Sequence, residues 1–158
     1  MLITELPFGL PGRVFASPMP FGLYDNKGEA LRDFKENGIS VIVLLVEDAE
    51  CLQKAKRNLY DLYVAQGFRV IHLPIADFSI PSAEELMHAV NQTIESAQGG
   101  RSVAIHCSGG VGRTGTFAAC MAKKLFNLSG GQAIAWVRKY IRSAVETSEQ
   151  KQLVIDCQ

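Results

Sequence analysis

His106-Cys107-Ser108-Gly109-Gly110-Val111-Gly112-Arg113-Thr114-Gly115-Thr116 is the stretch on which the reading of this chain turns. An apolar run, Val103-Ala104-Ile105, leads in, and a helix-forming run from Phe117 to Phe126 leads out. Strand, tight glycine-rich loop and helix together turn successive backbone N–H groups onto one anion. Gly109, Gly110 and Gly112 are expected to supply positive φ angles and a close approach that side chains would block. The amides of Ser108, Gly109, Gly110, Val111, Gly112 and Arg113 would then form the cradle. Arg113, at the start of the helix, can grip two phosphate oxygens with its planar fork. Cys107 sits at the floor of the loop, where amides and a helix N-terminus favour the thiolate. An oxyanion cradle around a nucleophile implies phosphoryl transfer through a cysteinyl-phosphate.

The same residues resemble the His-Cys-x5-Arg-Thr/Ser signature of cysteine-dependent protein tyrosine and dual-specificity phosphatases. The surrounding chain is most like the small branch of cyclin-dependent kinase-associated phosphatases. The resemblance covers nearly the whole chain and is weakest before Arg13. It implies an α/β fold with a mainly parallel sheet, helices on both faces and the phosphate-binding loop between strand and helix.

Composition is consistent with that class. One domain spanning residues 1–158 is long enough for a core without covalent staples. Sixteen basic and sixteen acidic residues leave no basic field for nucleic acid or an anionic membrane. The longest aliphatic run, Val41 to Val46, is far short of a membrane span. The N-terminus lacks the basic-then-apolar pattern of a signal peptide. Cysteines 51, 107, 120 and 157 show no paired metal spacing. A nucleophilic thiol needs a reducing compartment, so the expected location is the cytoplasm. Oligomeric state is not legible in the sequence.

Taken in order, residues 1–24 read as irregular turns around a short edge strand near Arg13 to Ala16. Asn26 with Glu29 reads as a capping box for a helix that runs to Asn37 and stops at Gly38. Ser40 to Val46 has no polar alternation and reads as a doubly buried parallel strand. Glu47 to Gln66 reads as one helix closed by Gly67, followed by a strand from Phe68 to Leu73. Ser82 with Glu85 opens a helix to about Ala97. Ser129 with Gln132 caps another to about Arg142, and Thr147 with Gln150 caps the last. Alternating strands and helices argue for a mainly parallel sheet, with ligands bound beyond the carboxyl ends of its strands.

Expelling an alcohol from a phosphate monoester requires a proton donor. Asp77, in Leu73-Pro74-Ile75-Ala76-Asp77-Phe78-Ser79-Ile80-Pro81, lies on a loop that opens on the same side as the signature. The family places its general acid about thirty residues before the Cys, which is the position of Asp77. Asp25, Asp33, Asp48 and Asp61 fall in segments without such a motif. The resemblance assigns Thr114 the hydroxyl that helps the thiolate leave. His106 is expected to fix the Cys and its loop by hydrogen bonds, and His72 and His88 to be structural or exposed. The resemblance also brings Gln150 near the attacking water, although the same side chain completes a capping box. Ile141-Arg142-Ser143 replaces the Arg-Pro-Gly of many relatives, which leaves Arg138 and Arg142 as candidate second phosphate contacts. Some relatives join a cysteine placed like Cys51 to an oxidised nucleophile. Cys120 and Cys157 read as small apolar residues in helices, and Trp136 as core.

The expected activity is hydrolysis of phosphotyrosine, extending to phosphoserine or phosphothreonine, in a protein or peptide substrate and without metal or other cofactor. The alternative is a phosphoinositide or inositol-phosphate phosphatase. Relatives of that kind often carry lysines inside the loop, where this chain has Ser108 and Val111. A pseudoenzyme would lack the Cys, the Arg or the acid. A rhodanese-like sulfurtransferase would have no use for Asp77 or Arg113-Thr114.

Overall fold

A computed structural model describes residues 1–158. The strands are β1 (Thr4–Leu6), β2 (Val14–Ser17), β3 (Ile39–Val46), β4 (Arg69–Ile75) and β5 (Ser102–His106). The helices are α1 (Glu29–Glu36), α2 (Asp48–Ala55), α3 (Leu59–Ala65), α4 (Ala83–Gln98), α5 (Gly112–Leu125), α6 (Gly130–Val137) and α7 (Ser148–Asp156). One sheet has the order β1-β2-β5-β3-β4, parallel throughout except for the β1–β2 pair.

Strand order fixes the layers. The connections from β2 to β3 and from β3 to β4 move one way across the sheet, and that from β4 to β5 moves back. Right-handed crossovers therefore put α1, α2 and α3 on one face and α4 on the other. The contacts agree: α4, α5, α6 and α7 pack on one another, while α2 meets α3 and α1 meets β3. In the middle, Val41 to Val46 are all fully buried, as a strand apolar on both faces requires. Each such aliphatic side chain contributes roughly 1.5–3 kcal/mol through burial.

Several local expectations change. Residues 14–17 form an interior strand, because Thr4–Leu6 pairs outside them and takes the edge. The cap of α1 comes from Asp25, whose two carboxylate oxygens accept from the amides of Glu29 and Ala30 at 2.8 and 2.9 Å. The N-cap position is Gly28, in the left-handed region at φ 74°, so the Asn26 capping box does not form. The Glu47–Gln66 helix is broken in two. Lys56 turns left-handed at φ 60°, and Asn58 caps α3 by accepting from the amide of Asp61. Arg57 anchors the break, its guanidinium 3.7 Å above the Phe21 ring. The Ser129 box forms as expected, but α6 stops at Val137 and tightens into turns that close three residues back. Arg138 there donates to the carbonyls of Ala144 and Val145, which hold the chain out of helix. The Thr147–Gln150 box caps α7 as read. Cys157 lies at the C-cap of α7 and not inside a helix. No helix is long and apolar enough to cross a membrane.

Candidate active site

Because β2, β3, β4 and β5 run parallel, their carboxyl ends lie on one side, and the four segments that follow them meet there. They line a cavity of about 480 Å³ with Leu23 and Tyr24 after β2, Lys54 in α2 after β3, Asp77 and Phe78 after β4, and Cys107 to Gly109 with Val111 to Arg113 after β5. Glu146, just before α7, completes the wall. This is where open parallel sheets bind ligands.

The loop from Cys107 to Val111 is tied from behind. The Met19 amide donates to the Ser108 carbonyl at 2.9 Å. Gly110 alone among the loop glycines has a positive φ, 78°, and a Cβ there would stand 2.7 Å from the Ser17 carbonyl oxygen. Gly109 and Gly112 keep ordinary φ angles, which narrows the expectation of left-handed geometry to one residue. No amide from Ser108 to Thr114 donates to an acceptor within the protein. The Cys107 thiol is 3% exposed and accepts a hydrogen bond from the Thr114 hydroxyl at 3.1 Å.

Arg113 is held by a residue the sequence did not single out. Glu50, in α2, accepts from both terminal nitrogens of the guanidinium at 2.9 Å, and the Ile75 carbonyl accepts from Nη1 at 2.8 Å. Burial works against the Glu50 carboxylate, but Arg113 and Lys54 outweigh it and hold the group below the ordinary carboxylate range. Burial likewise opposes the charges of Arg113 and Lys54, and Glu50, with help from Asp77 for both and from Cys107 for Arg113, more than offsets it. Three of the five guanidinium N–H bonds are thus used. The Nε–H and the second Nη2–H remain as a parallel pair that suits two oxygens of one tetrahedral anion.

Asp77 closes the other side. Its carboxylate oxygens lie 3.2 Å from Arg113 Nη2 and 3.5 Å from Lys54 Nζ, and its side chain is 40% exposed. Lys54 also reaches Glu50 Oε2 at 2.9 Å and the Ser108 hydroxyl at 3.3 Å. Two cations and two carboxylates therefore neutralise one another across the cavity. Phe78, the next residue, sits left-handed at φ 60° with its amide bonded to Asp77 Oδ1, so the turn presents its ring outward.

His106 is fully buried, with Nδ1 2.8 Å from the Cys107 carbonyl and Nε2 2.8 Å from the Tyr63 hydroxyl. Burial lowers its pKa to about 4. The ring is a neutral strut between α3 and the loop. His72 bonds to the Val46 carbonyl, and His88 is exposed. Gln150, 1% exposed, accepts from the amides of Glu146 and Thr147 at 2.8 and 3.1 Å, and the cavity wall there is Glu146. Arg138 is occupied with backbone carbonyls, and Arg142 is exposed outside this cavity. Cys51 is buried, which together with Asp48 pushes its thiol up to about 11.

Glu50, Lys54, Tyr63 and Glu146 are what sequence reasoning missed. The i, i+4 spacing of Glu50 and Lys54 was visible, but it is equally that of a solvated helix pair. Tyr63 carried no signal beyond an aromatic in a helical run. A sulfur at the floor of a ring of N–H donors, with a guanidinium edge and a carboxylate beside it, can bind a tetrahedral oxyanion and exchange a proton with it.

Comparison with known proteins agrees with this chemistry. The model of the family described as "Polymorphic toxin system, DSP-PTPase phosphatase" matches residues 22–125. Tyrosine-protein phosphatase cdc-14 of Caenorhabditis elegans is 33% identical over 121 residues, covering 77% of this chain and 16% of its own. Dual specificity protein phosphatase CDC14A of Mus musculus is 33% identical over 105 residues, covering 66% and 16%. The chain thus spans about a sixth of the length of these relatives. Among solved structures, Tk-PTP in its active form superposes with a TM-score of 0.76 at 35% identity, over 90% of this chain and 89% of that one. Kinase associated phosphatase (KAP), with its catalytic-site cysteine replaced by serine, superposes at 0.85 with 25% identity, over 96% and 90%. With a family match over most of its length, and the signature loop, its arginine and the carboxylate gathered in one cavity, the chain belongs to the dual-specificity and tyrosine phosphatase family.

Proposed function

We propose that the protein hydrolyses phosphotyrosine, and with it phosphoserine or phosphothreonine, in protein substrates through a cysteinyl-phosphate. The observation that carries this reading is the meeting of Cys107, Arg113 and Asp77 in one cavity. Cys107 Sγ attacks phosphorus as a thiolate while the bond to the substrate oxygen breaks, and Asp77, which takes up a proton from solvent once the phosphate displaces it from Arg113, gives that oxygen its proton. The amides of Ser108 to Arg113 and the free guanidinium edge hold the three phosphoryl oxygens. A water then attacks phosphorus and yields its proton to Asp77. The thiolate leaves, assisted by the Thr114 hydroxyl that already donates to it. In this scheme the loop and Arg113 supply the charge stabilisation, and no metal or other cofactor enters. Entry of a phosphate dianion takes the Nη2–H that Asp77 now faces, so binding and release of the acid are one event.

The rim supports a protein substrate. Leu23, Tyr24 and Phe78 stand 68%, 68% and 61% exposed around the opening, an apolar margin suited to an aryl group and a peptide. Lys54 and Arg113 are balanced by Asp77 and Glu146 in the same lining, which disfavours a substrate carrying several phosphates. A reactive thiol of this kind favours a reducing, cytoplasmic setting. The test is a panel of phosphopeptides, phosphoinositides and inositol phosphates assayed with the wild type and Cys107→Ser. Turnover of phosphopeptides by the wild type alone supports the proposal. Preferential turnover of inositol phosphates, or activity in both proteins, overturns it.

A further inference from the structure

Away from the cavity, two other cysteines meet. Cys120 lies in the third turn of α5, and Cys157 follows the last turn of α7. Both are 1% exposed, and their sulfurs are 2.8 Å apart across 37 residues of sequence. Lys123, one turn beyond Cys120, donates to the carbonyls of Val154, Ile155 and Cys157, so its ammonium clamps the end of α7 beside the pair. A separate cavity of about 210 Å³ lies beside the pair, lined by both cysteines with Met87, Lys123, Lys124 and Asn127. The cavity is larger than a peroxide molecule, which needs about the share of liquid volume that one or two waters take, some ~30 Å³ each.

We propose that Cys120 and Cys157 are a site of reversible oxidation by hydroperoxides, closing to a disulfide that fastens the last helix to the signature helix. The two thiols differ in character. The hydrogen bond the two sulfurs share and the Lys123 ammonium draw Cys157 down, while that bond and burial push Cys120 up. In the proposal Cys157, on the chain end that the Lys123 ammonium clamps, is the attacking sulfur, and Cys120, inside α5, the resolving one. The Cys157 thiolate attacks a peroxide oxygen: an S–O bond forms, the O–O bond breaks, and hydroxide leaves and takes a proton to become water. The sulfur, oxidised by two electrons, is now a sulfenic acid. Cys120 attacks it as its own proton departs: the S–S bond forms, the S–O bond breaks, and a second water leaves. Two thiols and one peroxide give one disulfide and two waters, and a thiol reductant reverses the change. The cavity beside the pair shares no lining residue with the catalytic cavity, so the proposal stands or falls apart from the proposed reaction.

The test is peptide mapping of the full chain after brief treatment with hydrogen peroxide, thiol blocking and trypsin digestion without reductant. The four cysteines fall in four different peptides, residues 36–54, 102–113, 114–123 and 152–158. Linkage of 114–123 to 152–158 in most molecules, removed by reductant, is the expected result. The linked form should also melt higher by about 5 °C or more, because the crosslink closes a loop of 37 residues in the unfolded chain. Cys157→Ala should lose both the link and the peroxide-dependent rise. The wild-type map alone decides the matter if that variant folds poorly. Separate blocking or overoxidation of the two thiols, or linkage only between 36–54 and 102–113, overturns the proposal.

Discussion

The wall of the cavity formed by the 107–113 loop presents main-chain N–H groups, whereas the opposite wall presents the side chains of Lys54 and Asp77, with Glu50 behind them on Arg113. The first is set by local backbone geometry: one left-handed glycine, one strand end and the start of one helix. Its donors do not titrate, and they do not depend on which side chains occupy the loop. The second is an arrangement of charges, each of which positions its neighbour. Damage to the first wall should therefore act on the reacting atoms directly. Damage to the second should act through Arg113 or through proton supply, and should depend on the substrate.

The largest expected effects lie on the loop wall. Cys107→Ser should abolish turnover yet still bind oxyanions, since the amides and Arg113 survive. Rates as high as about a tenth of wild type would break the scheme, because loss of the attacking group removes the covalent route altogether. Arg113→Lys should fail similarly in steady-state assays, since an ammonium cannot present two parallel donors.

On the charged wall, Asp77→Asn should cost on the order of 10²–10⁴ in kcat on phosphopeptides. The loss should be smaller on nitrophenyl phosphate, whose leaving group needs little help. An equal loss on all leaving groups would make Asp77 a shaping residue and erase the proposed contrast between the walls. Glu50→Gln should follow, with a fall of roughly 10–10² in kcat/KM, because the guanidinium edge is then free to wander. A rate within twofold of wild type would mean that Ile75 and the loop suffice to hold Arg113.

The smallest effect is on stability and sharpens the comparison from below the loop. His106 has a folded pKa of about 4 against an ordinary 6.5. The unfolded chain thus binds the extra proton between those values, and stability is complete above 6.5 and declines as pH falls toward 4. The contribution is on the order of 3 kcal/mol. Urea midpoints measured across that window should drop for the wild type and flatten for His106→Gln. An unchanged slope in the variant would assign acid sensitivity to carboxylates elsewhere.

How much of this was legible follows from distance along the chain. The signature, the Ser129 and Thr147 caps and the aliphatic run of β3 are written within a few consecutive residues, and each stands where it was read. The misreadings share a cause. Asn26 lost its capping role because Asp25, one residue away, reaches two amides at once. The long 47–66 helix broke where Arg57 finds the Phe21 ring, a partner 36 positions earlier. The strand at 14–17 lost its edge because three residues nearer the N-terminus pair with it, too few to show a period.

By itself the sequence determined the chemistry at the centre: a thiol, a ring of amides and an arginine, because a strand–loop–helix turn brings residues 107–113 together wherever it folds. Which groups steady that arginine and share its charge was decided only by tertiary structure. Glu50 meets Arg113 across 63 residues, and Tyr63 meets His106 across 43. Cys120 finds Cys157 across 37. Parallel strands made those meetings at the cavity, by turning four carboxyl ends to one side of the sheet. Helix packing made the last. No spacing rule encodes either, since the intervening chain sets only how far apart two residues are in sequence, and the sheet and core set where they lie.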